Sequence, residues 1–305
     1  LFSATINKHG DVMKRTGINL IFLSILIAAF IGCDSQSGVN DANLGKSSGN
    51  IGGNQINQNG NLPEFLTYSV IGGEEVTLNG SPIFVDESDD PDLNANIHSN
   101  NTVKLNGKRI GVDGFVTYVD NIIIDGDNIT ITPNSNPTNL PPHYQVSGVN
   151  IYSIEVEDYK SIADIVYDTD KQLSGLITLG TQSDPYIIYV TGNLYLDAVT
   201  FDGYGILLAE KEVDIVSNTI NSSPDPLHSK VLIVAGDKFI FNNSSSIMEA
   251  SVYARNEINI NSNDGTIEGN LATLRKNTLN GNGIHFYYKP VYHGLSDIIF
   301  GTNKN

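Results

Sequence analysis

The stretch "DESDDPD", Asp86 to Asp92, is the densest run of carboxylates in the chain. Asp86, Asp89, Asp90 and Asp92 are oxygen donors of the kind a hard divalent cation takes. Their order fits neither the EF-hand loop nor the glycine-rich calcium nonapeptide, so a solvated acidic loop is the simpler reading. His98, His143, His228, His285 and His293 are scattered, with no H-E-x-x-H pair and no Cys/His cluster. "VLIVAGD", from Val231 to Asp237, ends like the first strand of a nucleotide site. It lacks G-x-G-x-x-G and G-x-x-x-x-G-K-[ST], and no helical pattern follows it. No G-x-S-x-G nucleophile elbow occurs. Asp214, Asp237, Glu257 and Glu268 could serve a glycosidase or lyase only if one face gathered them beside a partner group. Tyr195, Tyr204, Tyr253, Tyr287 and Tyr288 could stack on sugar rings, although packing at chain corners suits them as well. The expectation is no catalytic residue, no metal site and no cofactor.

The elements that would position such groups show a repeat. Windows of one form, an apolar run, a polar break and then apolar-x-apolar, end at Leu78, Leu105, Ile124, Leu196, Ile215, Phe241, Ile260 and Leu279. The spacings are 27, 19, 72, 19, 26, 19 and 19 residues. The 26 is accounted for by a seven-residue insertion, "SSPDPLH" from Ser222 to His228. Two residues before each anchor stand Val76, Val103, Ile122, Leu194, Val213, Phe239, Ile258 and Asn277, with mixed residues between, which is the alternation of a half-buried strand. Turn residues follow the anchors at Asn79-Gly80, Asn106-Gly107, Asp125-Gly126, Asn242-Asn243, Asn261-Ser262 and Asn280-Gly281; both Asn and Gly tolerate left-handed backbone angles. Further apolar residues come five positions on, at Ile83, Ile110, Ile129, Phe201, Ile220 and Ile284.

One-way repetition with equivalent residues in one column predicts an all-β parallel β-solenoid of about eight coils, each stacked about 4.8 Å from the next. The 72-residue gap predicts an insertion at about 132–185. It holds a proline-rich excursion, Thr132–Tyr144, and one short amphipathic helix over Ser153–Asp168, which would pack on the side or end of the coils.

Charge narrows the partners. Lys and Arg number 17 against 34 Asp and Glu, for a formal charge of −17. An acidic surface of this kind excludes nucleic acid, which needs a basic footprint.

Met13-Lys14-Arg15 precedes "TGINLIFLSILIAAFIGCD". This basic start, short apolar run and small residues before the single cysteine resemble a bacterial lipoprotein signal, with Phe30-Ile31-Gly32-Cys33 as the lipobox. The resemblance implies that Cys33 carries diacylglycerol and anchors the chain to a membrane of the cell envelope, the outer membrane or cell surface being favoured over the inner membrane. Residues 1–32 are then upstream residues and signal. Residues 33–62, rich in Gly, Ser, Asn and Gln, form a flexible linker whose ends average roughly 30 Å apart. Residues 63–305 form the solenoid domain.

Ile97-His98-Ser99-Asn100 with Gly107, Tyr189-Val190-Thr191-Gly192-Asn193-Leu194 and Gly203-Tyr204-Gly205-Ile206-Leu207 also form a pattern. It continues through Ile233-Val234-Ala235-Gly236-Asp237, Val252-Tyr253-Ala254 and Gly281-Asn282-Gly283-Ile284-His285-Phe286-Tyr287. These segments resemble bacterial β-helical domains found in surface and type IV pilus-associated (PilX-like) proteins. The resemblance spans about Phe65 to Tyr288 and its motifs are structural. It departs at the N-terminus, where pilin-like members have a transmembrane helix. The expectation is a non-catalytic envelope solenoid with a structural, adhesive or assembly role. Its partners would be an envelope protein, a pilus component or a glycan, and its coil ends could self-associate. A polysaccharide-binding or polysaccharide-degrading β-helix is the alternative.

Overall fold

The structure is a computed structural model that describes residues 62–86, 94–133, 139–217, 219–222 and 228–301. Strands dominate, and every ladder between named strands is parallel. The chain forms a β-solenoid of about nine coils. A representative coil uses three strands, Ser251–Ala254, Glu257–Asn261 and Thr266–Gly269, one for each side.

The anchor residues of the repeat form one physical column. Leu196, Ile215, Phe241, Ile260, Leu279, Leu78, Leu105 and Ile124 stack in that order, each paired with the next. The order is not that of the sequence. The last coil, Lys276–Tyr288, lies on the first, Glu75–Asp86, with eleven paired positions. The described strands therefore begin in the middle of the stack, at Val70–Gly72, and wind to one end at His143–Gln145. They resume at the other end with Ile165–Tyr167 and wind back to the middle. The gap is thus only partly an insertion. Ile165–Tyr167 and Lys171–Thr178 are strands of an end coil, and the residues before them form the crossover. Equivalence of residues fixes the column but not the stacking order, so the repeat alone could not show this winding.

The helix expected over Ser153–Asp168 is a shorter 3-10 helix, Val156–Ile162, entered without a side-chain cap. Its sequence, VEDYKSI, mixes β-branched and aromatic residues with few strong helix formers, and short 3-10 turns suit such connectors. A 3-10 helix, Glu64–Thr67, and an α-helix, His293–Phe300, also lie outside the repeat pattern.

The first side of each coil explains the continuous apolar runs. Gly205–Ala209 and Val231–Ala235 are buried at every residue. Alternate side chains point into the solenoid, in the column Leu207, Ile233, Val252, Leu271, Val70, Ile97 and Val116. The others, including Ile206, Leu208, Leu232, Val234 and Tyr253, form a second cluster under the crossover, the segment at Phe65 and Leu66, and the C-terminal helix. A strand covered on both faces needs no polar alternation.

The corner glycines have a reason beyond turn conformation. A Cβ on Gly107 would lie 1.9 Å from the Gly80 carbonyl oxygen, and one on Gly126 would lie 2.0 Å from that of Gly107. Only Gly80 and Gly281 of this column have positive φ, so close coil stacking is the shared requirement. Ile83 also departs from expectation. A register shift after Ser81 turns it outward, and Phe84 takes the core position against Phe286, with ring centroids 5.1 Å apart.

The two ends of the stack differ. Ile124 faces inward yet is 45% exposed, since no described strand stacks beyond it. At the other end Lys171 occupies an inward position beside Leu194, its Nζ 4.4 Å above the Tyr167 ring.

Candidate functional surfaces

The second side of the solenoid carries two outward ladders. Lys238, Glu257, Lys276 and Glu75 alternate in sign along one column. Lys238 pairs with Glu257 at 3.4 Å, and Lys104 reaches Glu75 at 2.6 Å. At the following corner five asparagines stack. Asn261 donates to Asn242 at 2.6 Å, Asn280 to Asn261 at 2.7 Å, Asn79 to Asn280 at 2.6 Å and Asn106 to Asn79 at 3.2 Å. Each bond joins equivalent residues of neighbouring coils, so the ladder holds the corner in register. The sequence marks these positions as turn residues; their bonding to one another becomes visible only once the stacking order is known.

The four candidate carboxylates are not brought together. Asp237 accepts from Asn256 Nδ2 at 2.8 Å, Glu257 pairs with Lys238, and Glu268 pairs with Lys289 at 2.5 Å on the third side. Asp214 lies between Tyr195 and Ile240 on the second side, and partial burial raises its pKa. Of the acidic loop, Asp86 ends a strand, whereas Asp89, Asp90 and Asp92 lie outside the described residues, as does Cys33. Among the described residues no group of three His, Cys, Asp or Glu side chains is placed to hold a metal ion, and no helix is long and apolar enough to cross a membrane.

Tyr253 and Tyr288 are fully buried, so neither can stack on a sugar. Tyr287 stacks on His285 at 6.3 Å. Tyr204 meets Tyr292 edge-on at 5.2 Å with Lys230 above its ring, and His228 and His293 flank the same Tyr292. These two histidines, 65 positions apart, look unrelated in the sequence.

His98 is completely buried and acts on the crossover. Its Nε2 donates to Asn100 Oδ1 at 2.9 Å, and Thr117 Oγ1 lies 2.9 Å from its Nδ1. Asn100 in turn holds the Val149 backbone at both ends, accepting from its N–H and donating to its carbonyl, each at 2.7 Å. The network puts the ring proton on Nε2, and burial lowers the His98 pKa to about 4. Tyr253 donates to the Tyr152 carbonyl at 2.7 Å, and Arg255 bonds both the Ile154 carbonyl and the Glu155 carboxylate at 2.6 Å. The crossover is thus pinned to coils from both halves of the sequence. Between it and the C-terminal helix lies a cleft of about 880 Å³, lined among others by Tyr152, Glu155, Asp158, Tyr159, Asp297 and Phe300.

No protein-family model matches the chain, and neither does any curated protein. Solved structures do. An ice-binding protein from the Antarctic ascomycete Antarctomyces psychrotrophicus aligns at 14% identity and a TM-score of 0.42, covering 72% of this chain and 93% of its own. An ice-binding protein from an Antarctic biological consortium aligns at 16% and 0.39, covering 77% and 94%. The DUF3494 domain of Shewanella frigidimarina ice-binding protein 1 aligns at 14% and 0.34, covering 76% and 99%. These are likenesses of β-helical fold, and they carry no argument about what this chain binds.

Proposed function

We propose that the chain is a lipid-anchored, non-catalytic solenoid of the cell envelope that presents its second side as a rigid surface for adhesion or assembly. The asparagine ladder carries this reading: its bonds run unbroken across the point where the last coil meets the first. A column that rigid suits a surface held in fixed geometry against a repetitive partner, whether an envelope protein or a pilus component. Asp237, Glu257 and Glu268 are tied to three different neighbours and Asp214 lies apart from them, so the candidate carboxylates do not converge as a hydrolase requires. Anchoring rests on the lipobox at Cys33, and the linker would hold the solenoid off the membrane.

Ice, bound by the similar structures named above, is a less suitable partner for this side. Lys238, Glu257, Lys276 and Glu75 hold water in shells centred on ions rather than in a lattice. A glycan is the second reading, favoured by the Tyr204–Tyr292 pair beneath Lys230.

Expression of the full chain and of Cys33→Ala in a bacterial host, with labelled fatty acid and fractionation, tests the anchor. Label should be confined to the unaltered chain, and a membrane-bound, labelled Cys33→Ala protein would refute it. A glycan array, an ice-recrystallisation assay and a hydrolase and lyase screen test the rest. Reproducible turnover would overturn the non-catalytic reading, and ice activity would overturn the choice of partner.

A further inference from the structure

The cleft between the crossover and the C-terminal helix has a composition that selects one ligand class. We propose that it binds an alkylammonium group, the terminal amine of an unbranched aliphatic chain. At about 880 Å³ it has the size of a small-molecule site. Its floor is apolar: Ile154, Tyr159, Ile299 and Phe300 are all buried. Tyr152, 38% exposed, stands on its wall and is braced edge-on by Phe65 at 5.7 Å. An exposed ring with a fixed orientation offers its face to a methylene chain or a cation.

Three carboxylates and no Lys, Arg or His are among the lining residues, although Arg255 pairs with Glu155 from outside the cleft and His293 Nδ1 lies 3.9 Å from Asp297. Glu155, Asp158 and Asp297 line the opening. Helix His293–Phe300 ends there, so the negative end of its dipole and its last carbonyls lie at the cleft. Tyr159 takes up one of those carbonyls, donating to Ile299 at 2.6 Å, and Gly301 N–H caps that of Asp297 at 2.9 Å. Arg255, a nearby cation among the described residues, is engaged by the Ile154 carbonyl and Glu155 and is not among the lining residues. A cleft of this volume with buried apolar side chains beside carboxylates matches a methylene stem with a positive tip. An anion of the same length meets the rim unfavourably.

Two sources supply this chemistry, a free aliphatic diamine or a lysine side chain of a partner polypeptide. Calorimetry with the full chain should use cadaverine, N-acetyl-lysine methylamide and, as the anionic control, pentanoate. Cadaverine or the lysine derivative should bind, pentanoate should not, and affinity should fall as salt rises. Asp297→Asn should weaken binding by about tenfold, a loss of about 1.4 kcal/mol. Tyr152→Ala should weaken it similarly, with each variant still showing a cooperative unfolding transition. Tighter binding of cadaverine assigns a free diamine, and tighter binding of the lysine derivative assigns a polypeptide. Equal binding of pentanoate, no binding of either amine at millimolar concentration, or unaltered affinity in both variants would overturn the proposal. Because the cleft is remote from Cys33 in sequence and needs no membrane, its failure would leave the anchoring result untouched, and the reverse also holds.

Discussion

The side-chain amide of Asn79 donates to the side-chain oxygen of Asn280 at 2.6 Å, although 201 positions separate them in the sequence. That bond closes the ladder where the first and last coils meet. Asn280 takes part in two ladder bonds, whereas Asn106 makes a single one at 3.2 Å at the end of the run. Asn280→Ala should therefore destabilise the fold by about 2 kcal/mol and Asn106→Ala by about 0.5 kcal/mol. Urea unfolding, with the two midpoints compared at constant slope, checks the difference. Equal losses would show that the ladder adds nothing beyond each residue's own turn.

Gly107 gives a steric test. Its φ is not positive, so alanine suits its backbone, but the Cβ would lie 1.9 Å from the Gly80 carbonyl oxygen. Gly107→Ala should force the coils apart and cost about 2 kcal/mol or more. Gly111→Ala, whose Cβ would stand 3.5 Å from Ile83, should cost less than about 1 kcal/mol. Thermal melts of the two variants decide the matter.

Phe239 is fully buried in the interior, paired with Val213 and Ile258 on the neighbouring coils. Phe239→Ala should cost about 3–5 kcal/mol through lost transfer energy and the cavity left behind. Ile123→Ser, on the exposed terminal strand, should fall within about 0.5 kcal/mol of the unaltered chain. Denaturant titration measures both.

His98 supplies a pH dependence. Its pKa is about 4 in the folded state against an ordinary value of 6.5, so the unfolded chain binds more protons between those values. The His98 contribution to stability is therefore full above pH 6.5 and is lost as pH falls toward 4. The loss is on the order of 3 kcal/mol. His98→Gln should be less stable at pH 7 and should flatten the slope of stability between pH 6.5 and 4. Unfolding at a series of pH values tests this, and an unchanged slope would show that His98 is not the titrating group.

Lys171 guards one end of the stack. A charged side chain at an inward position blunts an open sheet edge. Lys171→Val should increase end-to-end association, read as concentration-dependent sedimentation. A variant that stays monomeric at all concentrations would show that Lys171 is not what prevents stacking.

Much of the architecture was legible because a solenoid writes its contacts as a period. Leu78, Leu105, Ile124 and the other anchors occupy one column, as their alignment implies. The stacking order was hidden, because equivalent residues can stack in any sequence that buries them. Asn79 and Asn280 read as turn residues, and their bond depends on that order. The short helix falls inside the span that apolar spacing marks; its 3-10 type and its length were not legible, since such spacing over one or two turns does not distinguish a 3-10 helix from an α-helix. The helix at His293–Phe300 carries no repeat signal, so the cleft it forms with the crossover had no trace in the sequence.

The out-of-order winding also governs when the molecule can fold. A chain delivered from its N-terminus makes the coils at 70–145 first, and their uncovered layer awaits a strand not yet synthesised. Lys276–Tyr288 acts as a keystone, completing both halves at once, and such distant pairing slows folding.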